Sequence, residues 1–400
     1  MKILLLTTPF TPNVGGVETH LNDLIKEGQK KGINFRVITY QPLVTKARGK
    51  SVEKKGGAVI YRVPWLRMNL FLHLEKYPVF EFLYLFLGIF AFSLIYMIIK
   101  SSEIGTIHSQ GLAAGVVGLI LSKLFNKRLI ISTHSIYHFP TGGIYTAFVR
   151  FLFNNSYHVL TLSKQSEEEL KKIGVNEKKI SVFTYWVDQE KFKVNNPLRG
   201  QSSKFNPFGK LRVDAERSRS IKIRKKLGLE NKFICLFVGR LVPKKGIEEL
   251  LEAAKITSER VKFLIVGDGP LEESIKYQVS SIKNLIFLGK VDNEKLPIYY
   301  NAADVLIVPS THEEGFGRVI LEALSCGLPV IGSNRGAIPE AMNDNVGVFI
   351  DVTPENIKII VEKLSENPEI LMTMRKKARK FAEKNYSSKN LEMITRYYET

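Results

Sequence analysis

Glu314 and Glu322 stand eight positions apart in the segment EEGFGRVILEALSCGLPV, with a Gly-Phe-Gly turn directly after the first carboxylate. Apolar runs flank the segment, Val305 to Val308 ending in Pro309-Ser310 and then Pro329 to Gly332, so the pattern predicts strand, loop, helix, strand. Glu314 then lies in the loop and Glu322 about two turns into the helix. Ligands of open parallel sheets bind beyond the carboxyl ends of the strands, where such loops converge. Gly315 and Gly317 let the backbone approach a ligand closely, and the first free N–H groups of the new helix point at an anion. A carboxylate on either side of an anion site suits hydroxyl-rich groups flanking a phosphate, as in a nucleotide sugar.

Two more strand ends in the second half of the chain carry candidates. The run ICLFVG ends at Arg240, with Lys245 five positions on, and the run FLIVG ends in the tight turn Asp268-Gly269-Pro270. Two fixed cations beside a helix N-terminus form a pyrophosphate clamp, which can stabilise a departing nucleoside diphosphate without a metal. No Asp-X-Asp pair occurs, so a divalent-metal diphosphate site has little support. Arg240 and Lys245 alone would read equally well as a solvated loop; the glutamate pair beside them favours the clamp.

The elements that must hold these residues alternate as strand and helix. In the first half, strands are expected at Ile3–Leu6, Asn34–Thr39, Ala58–Val63, Gly105–His108, Arg128–Ser132, Val159–Leu162 and Ile180–Phe183, with helices at Gly16–Lys31, Leu112–Phe125 and Ser166–Ile173. The second half restarts the alternation with strands Phe233–Gly239, Phe263–Gly267 and Leu285–Leu288 and helices Ile247–Lys255 and Leu271–Val279. This is the grammar of doubly wound parallel sheets. Four hundred residues exceed one ordinary core, so two α/β, Rossmann-like domains facing across a cleft are expected. Their bounds are 1–194 for the first domain, 195–229 for a basic linker or insertion and 230–375 for the second domain. A C-terminal helix, 376–400, is expected to pack back on the first.

Composition narrows the class. The chain is 44% hydrophobic and 24% charged, ordinary for a soluble globular protein, and its two cysteines, Cys235 and Cys326, sit in apolar stretches. Neither a disulfide framework nor a thiolate metal site is expected, and a reducing cytosol fits. The start, MKILLLTTPFTP, is too short in its apolar run for a signal sequence and is taken as the first strand. The net charge of +19 is uneven: residues 1–200 carry 26 basic against 13 acidic residues, and Lys204 to Lys226 alone holds nine against two. Such an excess implies an anionic partner, membrane lipid or nucleic acid.

With these motifs in place, the chain resembles the retaining glycosyltransferases of group 1, also called family four, which have the two-domain GT-B fold. VGRLVPKKGIEELLEAAK is similar to the family's diphosphate-binding block, VGDGP and FLGKV to its base-binding turns, and EEGFGRVILEALSCGLPVIGSNRGAIPE to its signature. In the first half, PFTPNVGGVETHL resembles the family's glycine loop and ISTHS its histidine strand end.

The resemblance implies that Arg240 and Lys245 hold the diphosphate, that Glu322 bonds the ribose hydroxyls and that Glu314 holds hydroxyls of the donor sugar. Gly315, Phe316 and Gly317 would offer backbone N–H groups to sugar and phosphate, and Lys290 and Val291 would line the base pocket. Gly15 and Gly16 would close over the phosphates from the first domain, with His134 facing the reacting sugar. It also implies metal-independent, front-face retention, with the leaving phosphate helping to deprotonate the acceptor and a general-base role for His134 the lesser option. His108, His20 and His138 are taken as structural. The sequence departs from the family at Thr184-Tyr185-Trp186, where an Asn-Gly turn is usual, and in the long basic insertion.

Phe82 to Ile99 is an eighteen-residue run without a charge, followed by Lys100. Its length suits a membrane span, but strands on both sides belong to one sheet, which weighs against a span and favours a buried core helix or one that docks the N-terminal domain on lipid, with all three open. The aromatic density and basic charge around it favour docking.

The function expected is hexosyl transfer from a UDP- or GDP-sugar, as co-substrate and without a metal or cofactor. The acceptor expected is a hydroxyl of a membrane lipid or lipid-linked glycan, with the enzyme cytoplasmic and peripheral to an anionic membrane. A non-catalytic scaffold of the same fold is one alternative. An NAD-dependent oxidoreductase is another, suggested by Gly267-Asp-Gly269, but Glu272 occupies its third glycine position. No nucleic acid is expected as partner, since no fold motif or basic-aromatic stripe supports one.

Overall fold

A computed structural model describes residues 2–399, apart from 14, 44–47, 67–69, 75, 141 and 195–219. The chain divides into two compact units, Met1–Trp186 with Ser388–Thr400, and Val187–Ser387. The first unit holds an eight-stranded sheet. Its strands are β1 (Lys2–Thr7), β2 (Asn34–Tyr40), β3 (Val52–Lys55), β4 (Ala58–Val63), β5 (Thr106–Gln110), β6 (Arg128–Thr133), β7 (His158–Thr161) and β8 (Ile180–Val182). They run in the order β3-β4-β2-β1-β5-β6-β7-β8, all parallel except the β3–β4 pair. The near-continuous apolar strands are buried on both faces, as parallel sheets require.

One face of that sheet carries α3 (Pro78–Lys100), α4 (Gly111–Leu124) and α5 (Ile144–Asn154), whose Ile89, Met97, Val117 and Leu152 share a core with Leu4, Leu6, Ile107 and Ile131. The opposite face holds the C-terminal helix α15 (Glu392–Glu399): Tyr398 sets its ring edge against Phe35 and its hydroxyl against Nδ1 of fully buried His108, at 2.6 Å. Helix α1 (Gly16–Lys30) buries His20, Leu21, Leu24 and Ile25. The apolar run expected at 79–99 is α3. It lies lengthwise on the sheet, burying Tyr84, Ile89 and Met97, and Gly88 lets it approach Trp65 and Tyr40 closely. By length and composition it would suffice to cross a membrane, and 28% of its apolar window is buried in this unit.

The second unit has a six-stranded all-parallel sheet: β9 (Phe233–Val238), β10 (Val261–Val266), β11 (Leu285–Gly289), β12 (Val305–Val308), β13 (Val330–Ser333) and β14 (Gly347–Ile350), ordered β11-β10-β9-β12-β13-β14. Helices α8 (Ile247–Ile256), α9 (Glu272–Val279), α10 (Leu296–Ala302), α11 (Arg318–Ser325), α12 (Ile338–Ala341), α13 (Pro354–Glu366) and α14 (Pro368–Asn385) accompany them. Residues 220–226 are helical (α7), and Arg224 there pairs with Asp304 at 2.7 Å. That end of the expected linker is therefore part of the second unit, while its 195–219 portion, with most of the basic insertion, lies outside the described residues. The expected tail, 376–400, falls in both units: α14 belongs to the second and 388–400 to the first.

Each sheet reverses its strand order once, between β1 and β5 and between β9 and β12. Loops leaving these strand pairs diverge, which opens a crevice at the carboxyl edge. In the second unit the loops there touch backbone to backbone. A Cβ at Gly246, whose φ is +68°, would lie 1.7 Å from the carbonyl oxygen of Pro309. Gly246→Ala is expected to lower stability by about 2–4 kcal/mol, through combined backbone strain and steric clash. Urea unfolding checks this, and an unchanged midpoint would contradict the close approach.

Candidate active site

The second unit's crevice is built by the loop after β9, which carries Arg240 and Lys245, and the loop after β12, which carries Glu314. Lys245 lies in a single 3-10 turn, Pro243–Lys245, ended by left-handed Gly246. The loops are tied by Thr311 N–H donating to Lys244 O at 3.1 Å and by Nδ1 of His312 lying 2.7 Å from the same oxygen. Across this tie the Lys245 ammonium donates to Oε1 of Glu314, and the Ser310 hydroxyl donates to the same oxygen. Glu314 is buried, so desolvation pushes its carboxyl up, but the Lys245 charge and the two hydrogen bonds more than offset this and hold it below the usual range. Arg240 is exposed and forms no ion pair among the described residues.

Gly317 caps helix α11 at φ +68°, ψ 66°, and Gly336 packs so closely on Glu314 that a Cβ there would meet its backbone N at 2.5 Å. Ala337 N–H donates to Glu314 O at 2.9 Å. The Glu314 backbone is thus clamped from two sides. The Phe316 ring is buried edge-on to Tyr386, so this residue can offer a ligand only its backbone.

Glu322 is the fifth residue of α11, a little over one turn in and not about two, because the loop runs on to Gly317 before the helix begins. Its carboxylate is buried against α10, where the Tyr300 hydroxyl donates to Oε2 at 2.9 Å and Arg318 Nε approaches Oε1 at 3.4 Å. Burial, then the Glu322 charge, drives the Tyr300 hydroxyl well above its ordinary value, so it stays protonated as donor. Lys290 is exposed at the end of β11 and reaches Asp268 Oδ2 at 2.8 Å, joining the turns after β10 and β11; Val291 follows, half-buried.

In the first unit, extended Gly15 caps α1 and Gly16 is open, with nothing near a would-be Cβ. This loop leaves β1, one side of that unit's reversal point, and Gln110 ends β5 on the other. His134 follows β6. Its Nε2 lies 2.6 Å from Gln110 Oε1, which can only accept, so Nε2 carries the proton and Nδ1 accepts from the Tyr185 hydroxyl at 2.8 Å. Burial lowers its pKa to about 3. Both nitrogens of the ring are thus engaged by protein partners. His108, also lowered to about 3 by burial and then by His134, bridges Tyr398 and Ser132. Tyr185 and Trp186, at the departure from the usual turn, pack on His20, tilted and edge-on respectively, and are buried, so they form core and not a turn.

Tyr300, Arg318, Ser310 and Gln110 are not among the expected site residues, and Tyr185 is noted only as part of the departure at 184–186. Only Ser310 had a signal, its place at the end of an apolar strand run. Among the described residues no three His, Cys, Asp or Glu side chains gather as a metal site.

Residues 14–191 match the family model for Glycosyltransferase Family 4 and residues 219–381 that for glycosyl transferases group 1. The chain belongs to this glycosyltransferase family. The uncharacterized glycosyltransferase MJ1178 of Methanocaldococcus jannaschii is 26% identical over 100% of this chain and 98% of its own. The phosphatidylinositol N-acetylglucosaminyltransferase GPI3 subunit of Saccharomyces cerevisiae is 26% identical over 88% of this chain and 72% of its own. Among solved structures, Anabaena HepE in complex with UDP-glucose superposes at TM-score 0.76 with 22% identity, covering 100% of this chain and 99% of that one. That likeness places the two parallel-sheet units in the GT-B fold class.

Lys245→Met leaves Glu314 buried without its counter-charge and is expected to cost about 1–3 kcal/mol at pH 7, allowing for the partial exposure of Lys245. Glu314's depressed carboxyl contributes stability above the ordinary carboxylate range that is lost as pH falls through it, so the gap to wild type narrows below about pH 4. Unfolding at several pH values checks this; a gap constant from neutral to acid would contradict the pairing.

Proposed function

We propose that the protein transfers a hexosyl unit with retention from a UDP- or GDP-sugar to a hydroxyl of a membrane lipid or lipid-linked glycan, in cell-envelope glycan or glycolipid synthesis. The observation that carries the donor half is the Lys245–Glu314 pair beside unpaired, exposed Arg240 at the strand-order reversal. A diphosphate bound there competes with Glu314 for Lys245. The ammonium turns to the phosphate, and Glu314, ionised at neutral pH, is released to accept from sugar hydroxyls. Arg240 and Lys245 then stabilise the charge that develops as the bond from the anomeric carbon to phosphate oxygen breaks.

In the front-face route the acceptor oxygen bonds to the anomeric carbon on the same side, and its proton passes to the leaving phosphate. This route needs no base from His134. That ring, with Gly15 and Gly16, shapes the sugar and phosphate surroundings. Tyr300 and Arg318 fix the orientation of the Glu322 carboxylate, which is assigned to the ribose hydroxyls, and backbone at Gly315, Phe316, Gly317, Lys290 and Val291 completes donor binding without a metal.

The UDP and UDP-glucose complexes of Anabaena HepE support a nucleotide-sugar donor, and the yeast relative's name includes a lipid, phosphatidylinositol. The exposed apolar side of α3 and the basic first half support peripheral binding to an anionic membrane on the cytoplasmic side.

Thermal-shift screening with UDP- and GDP-sugars is expected to find a stabilising donor, and labelled sugar should pass into extracted membranes with unchanged anomeric configuration by NMR. Glu314→Ala is expected to lower turnover at least 100-fold, by loss of transition-state contacts of about 3 kcal/mol. Full turnover in that variant, or stabilisation by no donor, would overturn the assignment; donor binding without transfer would favour the scaffold.

A further inference from the structure

Three adjacent helices of the first unit, α3, α4 and α5, cover one face of its sheet, with α4 in contact with both neighbours. Across all three there is one acid, Glu81, against three bases, Lys100, Lys123 and Arg150. Elsewhere in the same unit, α1 alone carries Glu18, Asp23, Lys26, Glu27 and Lys30. The outward positions of α3 form an unbroken apolar stripe, Phe80, Leu83, Leu87, Ala91, Ile95 and Ile99, at helical spacing opposite its buried side. Helix α5 repeats the arrangement. Ile144 is 91% exposed, Phe148 42% and Phe151 57%, on the side away from buried Val149, Leu152 and Phe153.

Single exposed apolar residues are ordinary, but here two helices on either side of α4 each expose a ridge of large apolar side chains, and Leu124 of α4 is 62% exposed; apolar surface repeated in this way on one face marks an interaction site. We propose that α5 is a second lipid-facing helix, and that α3 and α5 lie together in the headgroup region of an anionic bilayer with α4 between them. This rests on the membrane-associated reading above and extends it from one helix to a surface. The sign of the few charges decides the occupant: Lys100 is paired with Glu103 at 3.0 Å, but Lys123 and Arg150 form no ion pair among the described residues and suit anionic headgroups, whereas the same face of a second copy would repeat them. The amino ends of α3 and α5 follow the carboxyl ends of β4 and β6, the sheet edge that holds Gly15, Gly16 and His134. A bilayer on this face therefore borders that edge and can present a lipid hydroxyl to it.

The test is sedimentation of the full chain with vesicles of phosphatidylcholine alone or with one-third phosphatidylglycerol. Wild type is expected to bind the anionic vesicles, and Phe148→Glu/Phe151→Glu on α5 to lower partitioning about tenfold, as should Leu87→Glu/Ile95→Glu on α3, each with unchanged nucleotide thermal shift. Because Cys235 and Cys326 are buried, Ile144→Cys can be labelled selectively with an environment-sensitive fluorophore, which should brighten on anionic vesicles. An α5 variant that sediments as wild type with a silent label at 144, while the α3 variant is lost, overturns the inference and leaves membrane association standing. Wild type that binds neither vesicle overturns both. A wild-type dimer that the α5 substitutions convert to monomer without altering sedimentation overturns it in favour of a second copy.

Discussion

The ion pair between Lys245 and Glu314 is the contact on which the ligand edge of the second unit depends. It joins groups 69 residues apart across the point where the strand order reverses. Loops leaving β9 and β12 would otherwise diverge, and the sheet supplies no hydrogen bonds beyond the strand ends. What holds them is a short list: the Lys245–Glu314 pair with Ser310, the Lys244 carbonyl accepting from Thr311, and the contact of Gly246 with Pro309. A buried carboxylate without a cation would be neutral or destabilising. The pair therefore serves the fold, and in the proposed function it is also the source of a cation for the diphosphate.

The two glutamates of the motif differ in what surrounds them. Glu314 faces a partly exposed lysine on another loop, while Glu322 is held by a buried tyrosine hydroxyl and an arginine within a helix contact. The same contrast separates Arg240, exposed and unpaired, from Arg318, buried on Glu322. Arg240, Lys245 and Glu314 lie on loops, and Arg318 and Glu322 on a helix.

Much of this was legible in the sequence. Parallel strands such as Ala58–Val63 and Val305–Val308 announce themselves as continuous apolar runs, and their ends placed Arg240, Lys245 and Glu314 on one edge. The antiparallel edge strand β3, VEKK, did not, because an exposed edge needs no apolar pattern. Nor did α5, whose apolar residues lie on both sides and give no clear stripe against a soluble background. The partners of Glu322 and His134 were hidden for a different reason. Tyr300, Gln110 and Tyr185 come from other elements, and only the packing of helices and strands decides which hydroxyl or amide meets which ring or carboxylate. The first helical residue after Gly317 was likewise a matter of backbone conformation, and it moved Glu322 by most of a turn.

The first unit has two unlike faces, one covered by apolar helices and the other including the C-terminal helix, whose Tyr398 anchors on His108. In the proposed reaction the second unit holds the donor, and a nucleoside diphosphate takes Lys245 from Glu314. Carbon-13 NMR of glutamate side-chain carboxyls, with Glu314 assigned by substitution, measures this directly. In the free protein Glu314 should titrate below the ordinary carboxylate range, and saturation with UDP or GDP should move its titration upward as the ammonium leaves. A Glu314 titration unchanged by a nucleotide that demonstrably binds would contradict the account.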